Sequence, residues 1–119
     1  MLVAAHREDS EVNVTKMADR ILKLRIFNDQ EGKMNLALRD LHPPGEVLIV
    51  SNFTVYGETA KNRRPSFVAS APYEQGEALF NQLLDHLRES GLTIETGVFG
   101  ASMEVALVND GPVTVILET

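Results

Sequence analysis

One hundred and nineteen residues, 44% of them hydrophobic, suffice for one folded domain and leave no room for two. The absence of cysteine excludes disulfides, thiolate nucleophiles and Cys-type zinc sites, and a net charge of -6 argues against non-specific coating of nucleic acid. No run reaches the roughly 18 apolar residues of a membrane span, and the opening MLVAAHREDS lacks a signal peptide's basic flank and long apolar region, so a soluble, cytoplasmic protein is expected.

Met1 to Ala5 is a short apolar run. Beyond it Val14, Met17, Ala18, Ile21 and Leu22 recur at helical spacing behind Ser10, a suitable N-cap, which predicts a helix from about Glu11 to Leu24. RIFNDQEGKMNLAL reads as two short strands, Arg25 to Phe27 and Met34 to Leu38, around a polar turn at Gly32. LHPPGE breaks the chain. EVLIVSNFTVY is a continuous apolar run rich in β-branched residues and predicts the central strand, buried on both faces. A loop from Gly57 to Ser70 follows. Pro72 opens a second helix with the stripe Phe80, Leu83, Leu84 and Leu87, and Gly91 stops it. Strands at about Thr93 to Thr96, Met103 to Val108 and Val113 to Glu118 complete an α+β fold, two helices covering a mostly antiparallel or mixed β-sheet.

The chemistry is less obvious. His6, His42 and His86 lie far apart and match no metal-ligand spacing, and the chain has no nucleotide-binding, hydrolase or zincin motif, so no metal or cofactor is implied. SNFTVY, Ser51 to Tyr56, ends the most apolar strand, where polar groups can be held rigidly. Ser51 and Thr54 read either as site residues or as hydroxyls bonded to nearby backbone. No histidine is placed to activate either, which leaves side-chain nucleophilic catalysis poorly supported. KNRRPSF gathers Lys61, Arg63 and Arg64 in what is either a solvated loop or a contact for anions. NDGPVTV sets Gly111 and Pro112 between two apolar runs. A trans bond makes it an ordinary turn, and a cis bond would fix two carbonyls as a rigid pair.

In this order, KLRIFNDQEGKMN (Lys23 to Asn35), SNFTVY, RRPSF, FGASM and NDGPVT together resemble the D-aminoacyl-tRNA deacylase family, also called D-tyrosyl-tRNA deacylase, over essentially the whole chain. The resemblance implies a homodimer in which each Gly111-Pro112 turn, its bond cis, enters the active site of the other subunit. There its carbonyls would reject an L side chain and admit a D residue or glycine. The implied reaction is hydrolysis of the ester joining a D-amino acid, or mischarged glycine, to the terminal adenosine of tRNA. Ser51, Asn52, Phe53 and Thr54 would form the catalytic wall mainly through backbone N–H groups, with the RNA 2′-hydroxyl helping to activate water. Phe99, Gly100 and Met103 would line the adenine pocket, although without the resemblance Phe99 and Met103 read as ordinary core. Lys61, Arg63 and Arg64 become candidates for acceptor-stem phosphates.

Two departures stand out. Asn52 and Val55 occupy positions where the family reads Gln and Leu in S-Q-x-x-L-Y. Family members also begin with an additional strand hairpin, and the resemblance implies that this chain starts where their next strand ends, without an arginine that supports the Gly-Pro turn. These departures leave open a non-catalytic dimeric binding relative or a truncated, inactive fragment.

Overall fold

The computed structural model describes residues 1–60 and 63–119. Its elements in chain order are β1 (Leu2–Val3), α1 (Glu11–Lys23), β2 (Phe27–Asn28), β3 (Met34–Leu36), β4 (Val47–Ser51), α2 (Tyr73–Arg88) and β5 (Ile94–Thr96). Helix α1 begins at its expected cap: the Ser10 N–H and hydroxyl both donate to Asn13 Oδ1, at 3.1 and 3.0 Å. Helix α2 follows Pro72, and the chain leaves it through Gly91, whose φ of 78° is the left-handed conformation that suits glycine.

The apolar stripes of the two helices pack against each other and against one face of β4. Val14, Ala18 and Ile21 meet Leu79, Phe80, Leu83, Leu84 and Leu87 over Val47 and Ile49. Ile49 and Leu87 are completely buried, each worth about 1.5–3 kcal/mol of hydrophobic stabilisation. The strands β1, β4 and β5 form a sheet in that order with β4 central, both pairings parallel, Leu2 opposite Val50 and Val47 opposite Ile94. The ribbon of β2 and β3 is antiparallel. The α+β class and its two covering helices are therefore as expected, with ladders of mixed direction.

Three expectations are corrected. Strand β4 is not buried on both faces: Val47, Ile49 and Val50 are covered, but Leu48 remains 49% exposed. The strand also stops at Ser51, and Phe53–Tyr56 turns as a 3-10 helix. The cause is Asn52, whose Oδ1 accepts both the Thr54 N–H (3.1 Å) and the Thr54 hydroxyl (2.6 Å), a local closure that competes with extension. Third, neither Met103 to Val108 nor Val113 to Glu118 forms a strand. Their alternation is suited to a pleated surface, but a ladder needs a partner edge, and none pairs with them among the described residues. The segment instead runs outside the body, with Val108 93% and Ile116 85% exposed. It returns beside α1, where Asn13 Nδ2 donates to the Thr119 carbonyl at 3.3 Å and Arg20 Nη1 to that of Glu118 at 2.5 Å.

The turn at Gly32 carries a pH-dependent contact. Asp29 Oδ1 accepts the N–H groups of Lys33 (3.0 Å) and Glu31 (2.9 Å). The bond from Lys33, then that from Glu31, a side-chain bond with Asn35 and the Arg25 charge hold the carboxyl below its ordinary pKa. A depressed carboxylate stabilises the turn above its unfolded pKa, and that contribution is lost as pH falls through the folded pKa. Acidification through that range is expected to shift the Glu31 and Lys33 amide resonances together. In Asp29→Asn the step should vanish; its persistence would show that another group is titrating.

Candidate active site

One cavity of about 560 Å³ opens where the C-terminal end of β4 meets the first turns of both helices. Ser51, Asn52 and Phe53 line one side, Phe99, Gly100 and Tyr73 another, and Asp9 and Asn13 approach from the start of α1. The stretches SNFTVY and FGASM, 43 or more positions apart, thus share one wall system because β4 and β5 are adjacent parallel strands that end together.

The backbone donors at the end of β4 are not equivalent. The Asn52 N–H is spent on the Val3 carbonyl at 2.7 Å, continuing the ladder with β1. The Thr54 N–H is held by Asn52 Oδ1. The Phe53 N–H, at the first position of the 3-10 turn, meets no acceptor among the described residues. Its carbonyl is fixed by the Ser70 hydroxyl at 2.9 Å, and its ring stands edge-on to Phe67 at 5.1 Å. Phe53 thus lines the cavity with its carbonyl bonded and its N–H unspent, a donor of the kind that can stabilise a developing oxyanion.

No histidine lines the cavity among the described residues. His6 Nδ1 accepts the Glu8 N–H at 3.2 Å, and its ring packs on Tyr56 at 5.4 Å. Burial, then the charges of Asp9 and Glu118, push the Tyr56 hydroxyl above its ordinary pKa, so it stays protonated at neutral pH.

Thr54 is exposed and does not line the cavity. Nor does Met103, whose thioether packs over Gly97 beside Val50: a Cβ on Gly97 would fall 2.9 Å from its sulfur. The Gly111–Pro112 bond is cis, and the turn is exposed, away from the cavity of its own chain. Arg63 and Arg64 are exposed and make no ion pair among the described residues, on a loop closed by paired Glu58 and Ser66 backbone bonds of 2.9 Å. Lys61 lies outside the described residues. Sequence reasoning missed Tyr73 and Gly76, which continue the α2 stripe seven and four residues before Phe80; that helical spacing was the available signal.

Residues 1–118 match the family described as D-Tyr-tRNA(Tyr) deacylase. A D-aminoacyl-tRNA deacylase of Brevibacillus brevis is 51% identical over all of this chain and 81% of its own length. A protein of Bacillus subtilis named inactive D-aminoacyl-tRNA deacylase is 46% identical over all of this chain and 89% of its own. Among solved structures, the c-Myc DNA Unwinding Element Binding Protein superposes with a TM-score of 0.89 at 38% identity, covering 99% of this chain and 79% of that one. On the match over nearly every residue and these identities, the chain belongs to the D-Tyr-tRNA(Tyr) deacylase family.

Proposed function

We propose that the chain is a single-domain cytoplasmic hydrolase that cleaves the ester between a D-amino acid, or mischarged glycine, and tRNA. The observation that carries the reading is the cavity that joins Ser51, Asn52 and Phe53 to Phe99 and Gly100. The terminal nucleoside lies against Phe99 and Gly100, and the ester carbonyl approaches Phe53, whose N–H takes up charge as the oxyanion forms. Water is activated by the RNA 2′-hydroxyl, in keeping with a cavity that no histidine lines among the described residues. Arg63 and Arg64, with Lys61, position the acceptor stem through its phosphates.

The protein acts as a homodimer. Support comes from the exposed apolar side chains of Leu107, Val108, Val115 and Ile116, which flank the Gly111-Pro112 turn and call for cover. In the second copy's site that turn sets chirality by rejecting L side chains, with no attraction to the D residue required. A non-catalytic binding relative is the second reading, favoured by the B. subtilis protein named inactive.

One preparation decides between them. Release of tyrosine from D-Tyr-tRNA, with L-Tyr-tRNA left intact, by a chain that elutes as a dimer is the result expected. Binding of D-Tyr-tRNA without turnover by a clean dimer would establish the second reading, and failure to dimerise would remove both.

A further inference from the structure

We propose that Tyr73 is a positioning residue for the nucleoside end of the substrate, its ring holding Phe99 and Gly100 in place as one wall of the cavity. The inference rests on the reading of that wall as the terminal-adenosine site. Tyr73 and Phe99 meet nearly perpendicular, at 78° with centroids 5.1 Å apart, and Phe99 meets Phe80 at 5.7 Å and 44°. Phe80 is core, only 7% exposed, so the chain of rings runs from the interior to the cavity rim, where Tyr73 is 60% exposed. Gly100, at φ 71°, lies flat against Tyr73: a Cβ there would fall 2.7 Å from Cε2 of the ring. One turn along α2, Gly76 lies beside the Phe99 ring, whose Cζ would stand in ordinary contact, 3.5 Å, from a Cβ at that position.

The first turn of α2 therefore sets one ring against both Phe99 and Gly100. A ring this exposed adds little to the core, and its contacts are with residues of the cavity wall. Without it, Phe99 loses its edge-on neighbour and the Gly100 backbone its backing, while the Phe53 side of the cavity is untouched. The effect falls on binding of the planar base and leaves the chemical step alone.

The test compares the 119-residue chain with its Tyr73→Phe and Tyr73→Ala variants, using adenosine 5′-monophosphate in an amide-resolved NMR titration and D-Tyr-tRNA in steady-state hydrolysis. Tyr73→Ala is expected to weaken nucleotide binding and raise KM about fivefold to tenfold with kcat held within about twofold, and Tyr73→Phe to keep the parent values. Should Tyr73→Ala fail to fold, Tyr73→Leu, which keeps apolar bulk without a ring, serves the same comparison. Unchanged binding and KM in Tyr73→Ala would overturn the proposal while leaving the adenosine reading intact. An equal loss in Tyr73→Phe would assign the effect to the hydroxyl and overturn it as well. If the parent chain does not bind the nucleotide at this wall, the adenosine reading fails and this inference with it.

Discussion

Gly111→Ala is expected to leave the chain folded and to cut hydrolysis of D-Tyr-tRNA about 100-fold, because a misplacement of about 1 Å at a reacting centre costs that much. Within its own chain the added methyl is cheap. Gly111 is not among the glycines at positive φ, and its Cβ would meet the Asn109 side-chain amide at 3.1 Å, with the next neighbours at 3.7 Å. A flexible amide end gives way by the few tenths of an ångström required. The thermal midpoint should therefore move by no more than a few degrees. In the proposed dimer the same methyl enters the other subunit's cavity, where the space belongs to the substrate. Loss of activity without loss of stability would thus report a contact that the isolated chain does not make. The preference for D over L ester should narrow in the same variant, since the filter works by rejection. Parent-level activity and selectivity in a dimeric Gly111→Ala would remove the turn from the site.

How far the sequence reveals this arrangement depends on the range of the interactions involved. The helices are legible because their determinants are local: Ser10 with Asn13 at one start, Pro72 at the other, and Gly91 beyond the end of α2. The run Val47 to Val50 is legible as the central strand because its neighbours on both sides are strands. Its end is not, since Asn52 reads like any polar strand residue until its Oδ1 is seen to close on Thr54. The C-terminal segment misleads for the opposite reason: alternation describes side chains, whereas a strand also needs an edge to pair with. At the site, motif residues Ser51, Asn52, Phe53, Phe99 and Gly100 do converge. Which N–H is left over follows from the register of β1 on β4, a pairing of residues about 50 positions apart that no local pattern encodes.

That leftover donor leads to the sharpest test. Phe53→Pro is expected to lower kcat about 10²–10³-fold, the usual cost of removing one oxyanion donor, while Phe53→Ala falls far less. Proline suits the position: Phe53 opens a 3-10 turn, and Asn52 before it is already extended, at φ -151° and ψ 94°. The substitution removes an N–H that no acceptor among the described residues uses, so the fold loses no backbone bond. Phe53→Ala keeps the N–H and discards the same ring, isolating the packing on Phe67 from the donor. Ser51→Ala and Thr54→Ala should both retain substantial activity, because neither hydroxyl is asked to attack the ester. Equal losses in Phe53→Pro and Phe53→Ala would locate the effect in the aromatic pair and sink the oxyanion assignment. Mixing the inactive Phe53→Pro and Gly111→Ala chains then tests both halves of the site at once. With random exchange half the dimers are mixed, and each mixed dimer has one site combining an intact Phe53 with an intact turn. Activity should recover to about a quarter of the parent value if the turn acts across the interface, and should not recover at all if each chain builds its site alone.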